Sequence, residues 1–295
     1  MRIGVVGTGR VGSALALSLA SARGGVRLAG VLSRRPARAR RLVGRCRKGR
    51  AFTSVEDLGA GCDLIILCIP DGRIEEAAER IARGTSFRGR IVLHTSGVLS
   101  SRPLRSLRRR GVLTGTLHPL AAVPPASAGA RVPAGITFAV GGDRGAVAAA
   151  RRIARSLRGR PLVLPERLRP AYHLAATMVA NHATVITSLA LDLLGKKGIS
   201  PSPPIRRAMA ALLRTAADRI GQEGPARGLT GPAARGDLGT LRTHLVLLGR
   251  STRLRALYAA LSAEAIRIAR RRGDLPRRRA AAALRLLVSR RAAGR

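Results

Sequence analysis

Residues Gly7-Thr8-Gly9-Arg10-Val11-Gly12 stand between a short apolar run, residues 2–6, and a longer helix-like one, residues 11–22. Glycine at these three places answers three geometric needs. The first permits a tight turn, the second lets the backbone approach a ligand closely, and the third lets helix and strand pack together. The helix that follows turns free backbone N–H groups and the positive end of its dipole toward that ligand. In the first strand–turn–helix of a chain, this spacing points to a pyrophosphate, and so to a dinucleotide. A purely structural glycine turn is the alternative, since the chain holds 34 glycines. The candidate cofactor contacts here are Gly7, Thr8, Gly9, Arg10, Val11 and Gly12.

The pattern downstream supports that setting. Strand-like runs at 26–33, 63–69, 91–94, 112–117, 136–140 and 161–164 alternate with helical patterns at 36–43, 73–82, 104–110 and 145–157. Such alternation builds βαβ units and a mostly parallel sheet. Residues 63–69 (DLIILCI) are almost continuously apolar, which suits a parallel strand buried on both faces. From about Pro165 only helical periodicity remains, at 170–195, 203–223, 237–249 and 252–272, before a last basic helix or tail opens at Asp274-Leu275-Pro276. The expectation is an α/β Rossmann-like parallel-sheet domain over 1–165. An all-helical domain for substrate or dimerisation follows over 166–275, then a basic segment over 276–295.

The end of the second strand chooses the dinucleotide. A carboxylate there would bind the ribose 2′-hydroxyl of NAD. The chain instead reads Leu32-Ser33-Arg34-Arg35, with no acid nearby. Ser33 and the Arg34 guanidinium suit a 2′-phosphate, so NADP(H) is expected rather than NAD(H). Ligands of open α/β sheets gather beyond the carboxyl ends of the strands. Those ends are Ile69-Pro70-Asp71, with Ile69 and Pro70 as further cofactor contacts, then His94-Thr95-Ser96-Gly97, then His118-Pro119-Leu120. His94 suits a core position satisfied by backbone equally well. His118, read as one residue beyond its strand, faces the crevice.

In the helical half, His173, Thr177 and Asn181 recur at i, i+4 and i+8 and would line one helix face. A polar stripe on an apolar helix needs partners, from neighbouring helices or from a substrate. Arg235, in the Gly/Pro-shaped loop 229–237, would suit a substrate carboxylate, and Asp237 is placed to cap the next helix.

Other classes fare worse. The formal charge is +40, and three lysines (Lys48, Lys196, Lys197) leave 52 arginines among the 55 basic residues. Aromatic residues make up 2% of the chain, too few for a single-strand stacking platform. The arginines are spread over both halves and form no single footprint, so no specific nucleic acid is expected. An arginine-rich, Ala/Gly/Pro-rich chain is what a strongly G+C-biased coding sequence yields. Cys46, Cys62 and Cys68 form no CxxC pair, and no metal site is expected. Residues 174–194 lack Lys and Arg but carry Asn181, His182, Thr184, Thr187 and Asp192, which favours a buried helix over a membrane span. A soluble cytoplasmic protein is expected.

The succession GTGRVGSALA, DLIILCIPD, HTSG, HPL, YHLAATMVANHATV and LTGPAARGD resembles a family of bacterial Rossmann-like proteins whose helical half is called domain of unknown function 2520. The resemblance covers about residues 1–272. That family is similar to ketopantoate reductases, pyrroline-5-carboxylate reductases and 6-phosphogluconate-dehydrogenase-like proteins. The resemblance implies an NADP(H)-dependent oxidoreductase reducing a small carboxylate-bearing ketone or imine, with ketopantoate as first substrate to test. It also implies a homodimer formed through a 6-phosphogluconate-dehydrogenase-like helical domain. Several relatives carry Lys-x-x-x-Asn on the first long helix, the Lys giving the proton. Here Asn181 matches the Asn but Thr177 replaces the Lys. His118 and His173 then become the candidate donors, with Ser96, Thr177, Asn181 and Arg235 positioning substrate. A non-catalytic NADP(H)-binding regulatory or redox-sensing protein is the alternative.

Overall fold

The computed structural model describes residues 1–84, 87, 89–124, 129–249 and 252–289. Contacts divide the chain into two compact units, Met1–His182 and Ala183–Arg295.

The first unit is built on an eight-stranded sheet of order β3-β2-β1-β4-β5-β6-β7-β8. Its strands are β1 (Arg2–Val6), β2 (Arg27–Leu32), β3 (Arg50–Phe52), β4 (Leu64–Leu67), β5 (Ile91–His94), β6 (Leu113–Pro119), β7 (Thr137–Gly142) and β8 (Arg160–Val163). All neighbours pair parallel except β6 and β7. Alternation along β4 explains why that run is apolar throughout. Leu64 and Ile66 pack with one core cluster, and Ile65 and Leu67 with the other. On the first face lie α1 (Arg10–Ala20), α2 (Pro36–Cys46) and α6 (Arg144–Ser156), contributing Leu15, Leu19, Leu42 and Ile153. On the second lie α3 (Val55–Gly61), α4 (Ile74–Gly84) and α5 (Arg105–Arg108), contributing Leu58, Ile74, Ile81 and Leu107.

Two sheet details differ from expectation. β3 is a three-residue edge strand whose register on β2 (Gly30 with Arg50, Leu32 with Phe52) rests on backbone pairing, so no apolar pattern announces it. β6 runs on to Pro119, which places His118 inside the strand and not beyond it. The parallel ladder to β5 ends at Thr116, but antiparallel β7 carries β6 further by pairing Ala139 with His118 and Phe138 with Pro119.

After β8 the described residues form only helical elements. α7 (Arg169–Thr177) passes through a π-helical turn, Met178–His182, into α8 (Ala183–Lys196). The second unit continues with α9 (Pro203–Gly228), α10 (Pro232–Arg235), α11 (Leu238–Leu248), α12 (Thr252–Arg271) and α13 (Arg277–Val288). Its core is Leu241, Ile266, Ala269, Leu275, Ala283 and Leu287, from α11, α12, α13 and the turn before α13. The last basic segment is thus helical, and residues 290–295 lie outside the described part.

The helix over 174–194 is not buried. Leu174, Met178, Val179 and Val185 are all more than half exposed, and neither α8 nor α9 contains a buried side chain. Apolar composition pointed to a buried helix, and the structure overturns that expectation. Composition did not say that this chain alone leaves the helix bare. The run Glu166–Lys196 is also long and apolar enough, by length and composition, to cross a membrane.

Candidate active site

The glycine loop closes against its neighbours through the backbone. Gly7 N–H donates to the Leu32 carbonyl at 2.8 Å, tying the loop to the end of β2. Gly7 has φ +107°, and a Cβ there would lie 2.2 Å from the Cys68 carbonyl oxygen. A Cβ at Gly12 would lie 2.2 Å from the Gly7 carbonyl oxygen, so helix and turn touch only because both are glycine. A Cβ at Gly9 would meet nothing within 4 Å, and no side chain caps the N-terminus of α1. A cradle with an uncapped helix start fits a pyrophosphate. Beside it, Thr8 Oγ1 and Ser33 Oγ are 3.2 Å apart, and Arg34 and Arg35 are exposed at the end of β2 with no carboxylate before α2. Ile69 and Pro70 follow β4, next in the sheet.

The next two strand ends carry a second polar group. His94 is wholly buried and satisfied by backbone: Nε2–H donates to the Ser100 carbonyl (2.8 Å), and Nδ1 accepts the Ser96 N–H (3.2 Å). This bonding assigns it a structural place, and burial lowers its pKa. The Ser96 hydroxyl is committed as well, donating to Asp71 at 2.8 Å and accepting the Leu99 N–H at 3.1 Å. These bonds stitch the loop after β4 to the loop after β5.

Around that stitched loop sit Arg169, His118, Tyr172 and His173. Arg169 has no exposed surface; Nη1 donates to Thr116 Oγ1 at 2.9 Å and Nη2 to the Ser96 carbonyl at 2.6 Å. No carboxylate lies within ion-pair distance of it among the described residues. The His118 ring meets Tyr172 edge-on at 5.9 Å and His173 at 6.1 Å. Gly97 makes room for both imidazoles, since a Cβ there would lie 2.3 Å from His173 Cδ2 and 2.9 Å from His118 Nε2. Three buried polar atoms in this cluster have no partner: His118 Nδ1, Arg169 Nε and the Tyr172 hydroxyl. Burial first, then the charge of Arg169, then His173, push the His118 pKa down to about 4. The imidazole is therefore neutral at pH 7. Burial raises the Tyr172 pKa, with Arg169 opposing, so the phenol keeps its proton.

The fold thus brings Ser96, His118 and His173 together and adds Arg169, Tyr172 and Asp71. Thr177 follows His173 by one turn of α7 and is half-buried, whereas Asn181 is exposed within the π turn. Arg235 is exposed at the end of α10, in the second unit. Asp237 caps α11 by accepting the Thr240 N–H at 3.0 Å. Tyr172 was findable, as one of only two tyrosines and next to a candidate histidine. Arg169 was not, because nothing in sequence separates one buried arginine from 51 others. No group of three or more His, Cys, Asp or Glu side chains is placed to hold a metal ion among the described residues.

Residues 1–119 match a Rossmann-like domain, and residues 136–265 match the family described as domain of unknown function (DUF2520). Among solved structures, a candidate NADP oxidoreductase from Bacteroides fragilis is 23% identical, covers 90% of this chain and 97% of its own, and superposes with a TM-score of 0.69. A protein from Thermotoga maritima gives 22% identity, coverage of 92% and 99%, and a TM-score of 0.69. A reductive aminase from Aspergillus terreus, solved with NADPH and ethyl levulinate, gives 18% identity, coverage of 90% and 93%, and a TM-score of 0.58. At these identities the likeness is one of fold. Among curated proteins, none matches the chain. The chain thus carries, in order, a Rossmann-like domain and a domain of unknown function 2520.

Proposed function

We propose that the protein is an NADP(H)-dependent reductase of a small carboxylate-bearing ketone or imine, with ketopantoate as the first substrate to test. The observation that carries this is the set of unpartnered buried atoms on His118 of β6 and on Arg169 and Tyr172 of α7. Unpaired buried polar groups are costly, so a site that leaves three together is built for a polar ligand. The uncapped glycine cradle supports a dinucleotide, and Ser33 and Arg34 support a 2′-phosphate. Similarity to a reductive aminase solved with NADPH agrees with this choice.

When bound, NADPH supplies the hydride. The chain supplies the rest. Arg169, a buried positive charge without an acid partner, favours negative charge growing on the substrate oxygen or nitrogen. The Tyr172 hydroxyl gives its proton to that atom, and solvent reprotonates the phenolate. Neutral His118 hydrogen-bonds the substrate rather than acting as a charged acid, and His173 closes the same wall. Ser96 holds the loop through Asp71, while Thr177 and Asn181 complete substrate binding. We further assign the bare apolar residues of α8 and α9 to a homodimer contact, since a second copy would cover them.

The test is NADPH oxidation with ketopantoate and a panel of 2-keto acids and cyclic imines. Tyr172→Phe is expected to lower kcat about 100-fold with NADPH affinity unchanged. No binding of NADPH would sink the proposal. Binding with no turnover of any substrate would leave a regulatory NADP(H) module in its place.

A further inference from the structure

The opposite end of the first unit holds a pocket of about 470 Å³ lined by Ser21, Arg23, Gly24, Arg152, Arg155, Ser156 and Arg158. It lies between the loop after α1 and the last turn of α6 with its exit. α1 separates it from the glycine loop: Gly9 caps one end of that helix and Ser21 the other, roughly 18 Å apart at the helical rise. From this pocket we infer a second anion site, one that takes a compact oligophosphate.

Four exposed arginines line one concavity with no carboxylate in its lining, and none of the four is ion-paired among the described residues. Elsewhere on this surface acids do find arginines, as at Arg2 with Asp63 and Arg105 with Glu75. Like charges brought together without a counter-charge repel, and an anion removes that cost. One of the four hydrogen-bonds the loop backbone. Gly24 and Gly25 both have positive φ, Arg152 Nη2 donates to the Gly24 carbonyl at 3.1 Å, and a Cβ at Gly25 would lie 2.6 Å from that same nitrogen. Arg158 is itself held at φ +59°, where glycine is the unstrained choice. Two serine hydroxyls complete the lining, and Ser156 already donates to the Ile153 carbonyl.

The lining contains no aromatic and no large aliphatic residue. The site therefore reads phosphoryl oxygens, through charge-assisted and bidentate hydrogen bonds, and offers a nucleobase nothing to stack on. Its volume is that of a small-molecule pocket, so a short chain of phosphoryl groups suits it better than a polymer. A free oligophosphate and the phosphate end of a nucleotide present the same chemistry.

Calorimetric titration of the full chain with inorganic triphosphate, at saturating NADPH and near-physiological salt, tests the assignment. Paired change of Arg152→Ala and Arg155→Ala should weaken triphosphate at least about tenfold and leave NADPH affinity unchanged. Arg277→Ala with Arg278→Ala, the same loss of charge on α13, should leave triphosphate affinity in place. A nucleoside triphosphate should bind no more tightly than triphosphate alone. Equal weakening by both variant pairs would overturn the site in favour of the protein's general positive field. Loss of triphosphate binding when NADPH saturates would overturn it in favour of the dinucleotide cradle. A much tighter nucleoside triphosphate would overturn the phosphate-only reading.

Discussion

A methyl group at Gly12 would sit 2.2 Å from the Gly7 carbonyl oxygen, a backbone atom that cannot swing aside. Gly12→Ala is therefore expected to push α1 off the turn and to weaken NADPH at least about tenfold in a fluorescence titration. Gly9→Ala is the control for fold, since a Cβ there meets nothing of the protein. His118 makes a second expectation. In the unfolded chain a histidine takes up its proton near pH 6.5, but folded His118 does so only near 4. Between those values the unfolded state binds more protons, so stability falls as pH is lowered through that window. Denaturant unfolding should show the protein about 2 kcal/mol less stable at pH 5 than at pH 7 from this residue. His118→Asn should flatten that slope, leaving the part due to buried His94, whose shift has the same direction. At this scale the glycine loop was legible in sequence, because its spacing is local, whereas His118 was read as lying beyond β6 and sits inside it. Arg169 was invisible, because its burial against Ser96 and Thr116 depends on residues far away along the chain.

Among the elements, the strands announced by apolar runs were legible, and β3 was not, since three residues held by backbone pairing carry no pattern. The end of β6 was misplaced for a related reason: a ladder formed with β7, from a later segment, decides where it stops. The helices after β8 were legible as helices, but their exposure was not. Periodicity reports which face is apolar and says nothing about how many chains it takes to cover it. Leu212 and Leu213 on α9 are 65% and 47% exposed, large side chains that a lone chain leaves in water. Changing both to Glu is expected to convert a dimer to a monomer in sedimentation velocity while NADPH affinity persists. A wild-type protein that sediments as a monomer at micromolar concentration would remove the dimer assignment.

For the molecule as a whole, the +40 charge sets the approach of every anion. NADPH association measured by stopped flow should slow about tenfold between low salt and roughly 0.3 M, with a much smaller change in its dissociation rate. A salt-insensitive association rate would mean that the field cancels at the cradle. Charge of this kind is a property of the ensemble of arginines, and most of them are individually exchangeable. Arg169 is the exception, the only buried arginine among the described residues. It serves two acceptors at once through a planar fork, which the point charge of a lysine cannot reproduce. In a library that walks lysine through all 52 arginines, most surface positions given no ligand contact above should drift freely, and Arg169→Lys should be the position where purifying selection for folding bites.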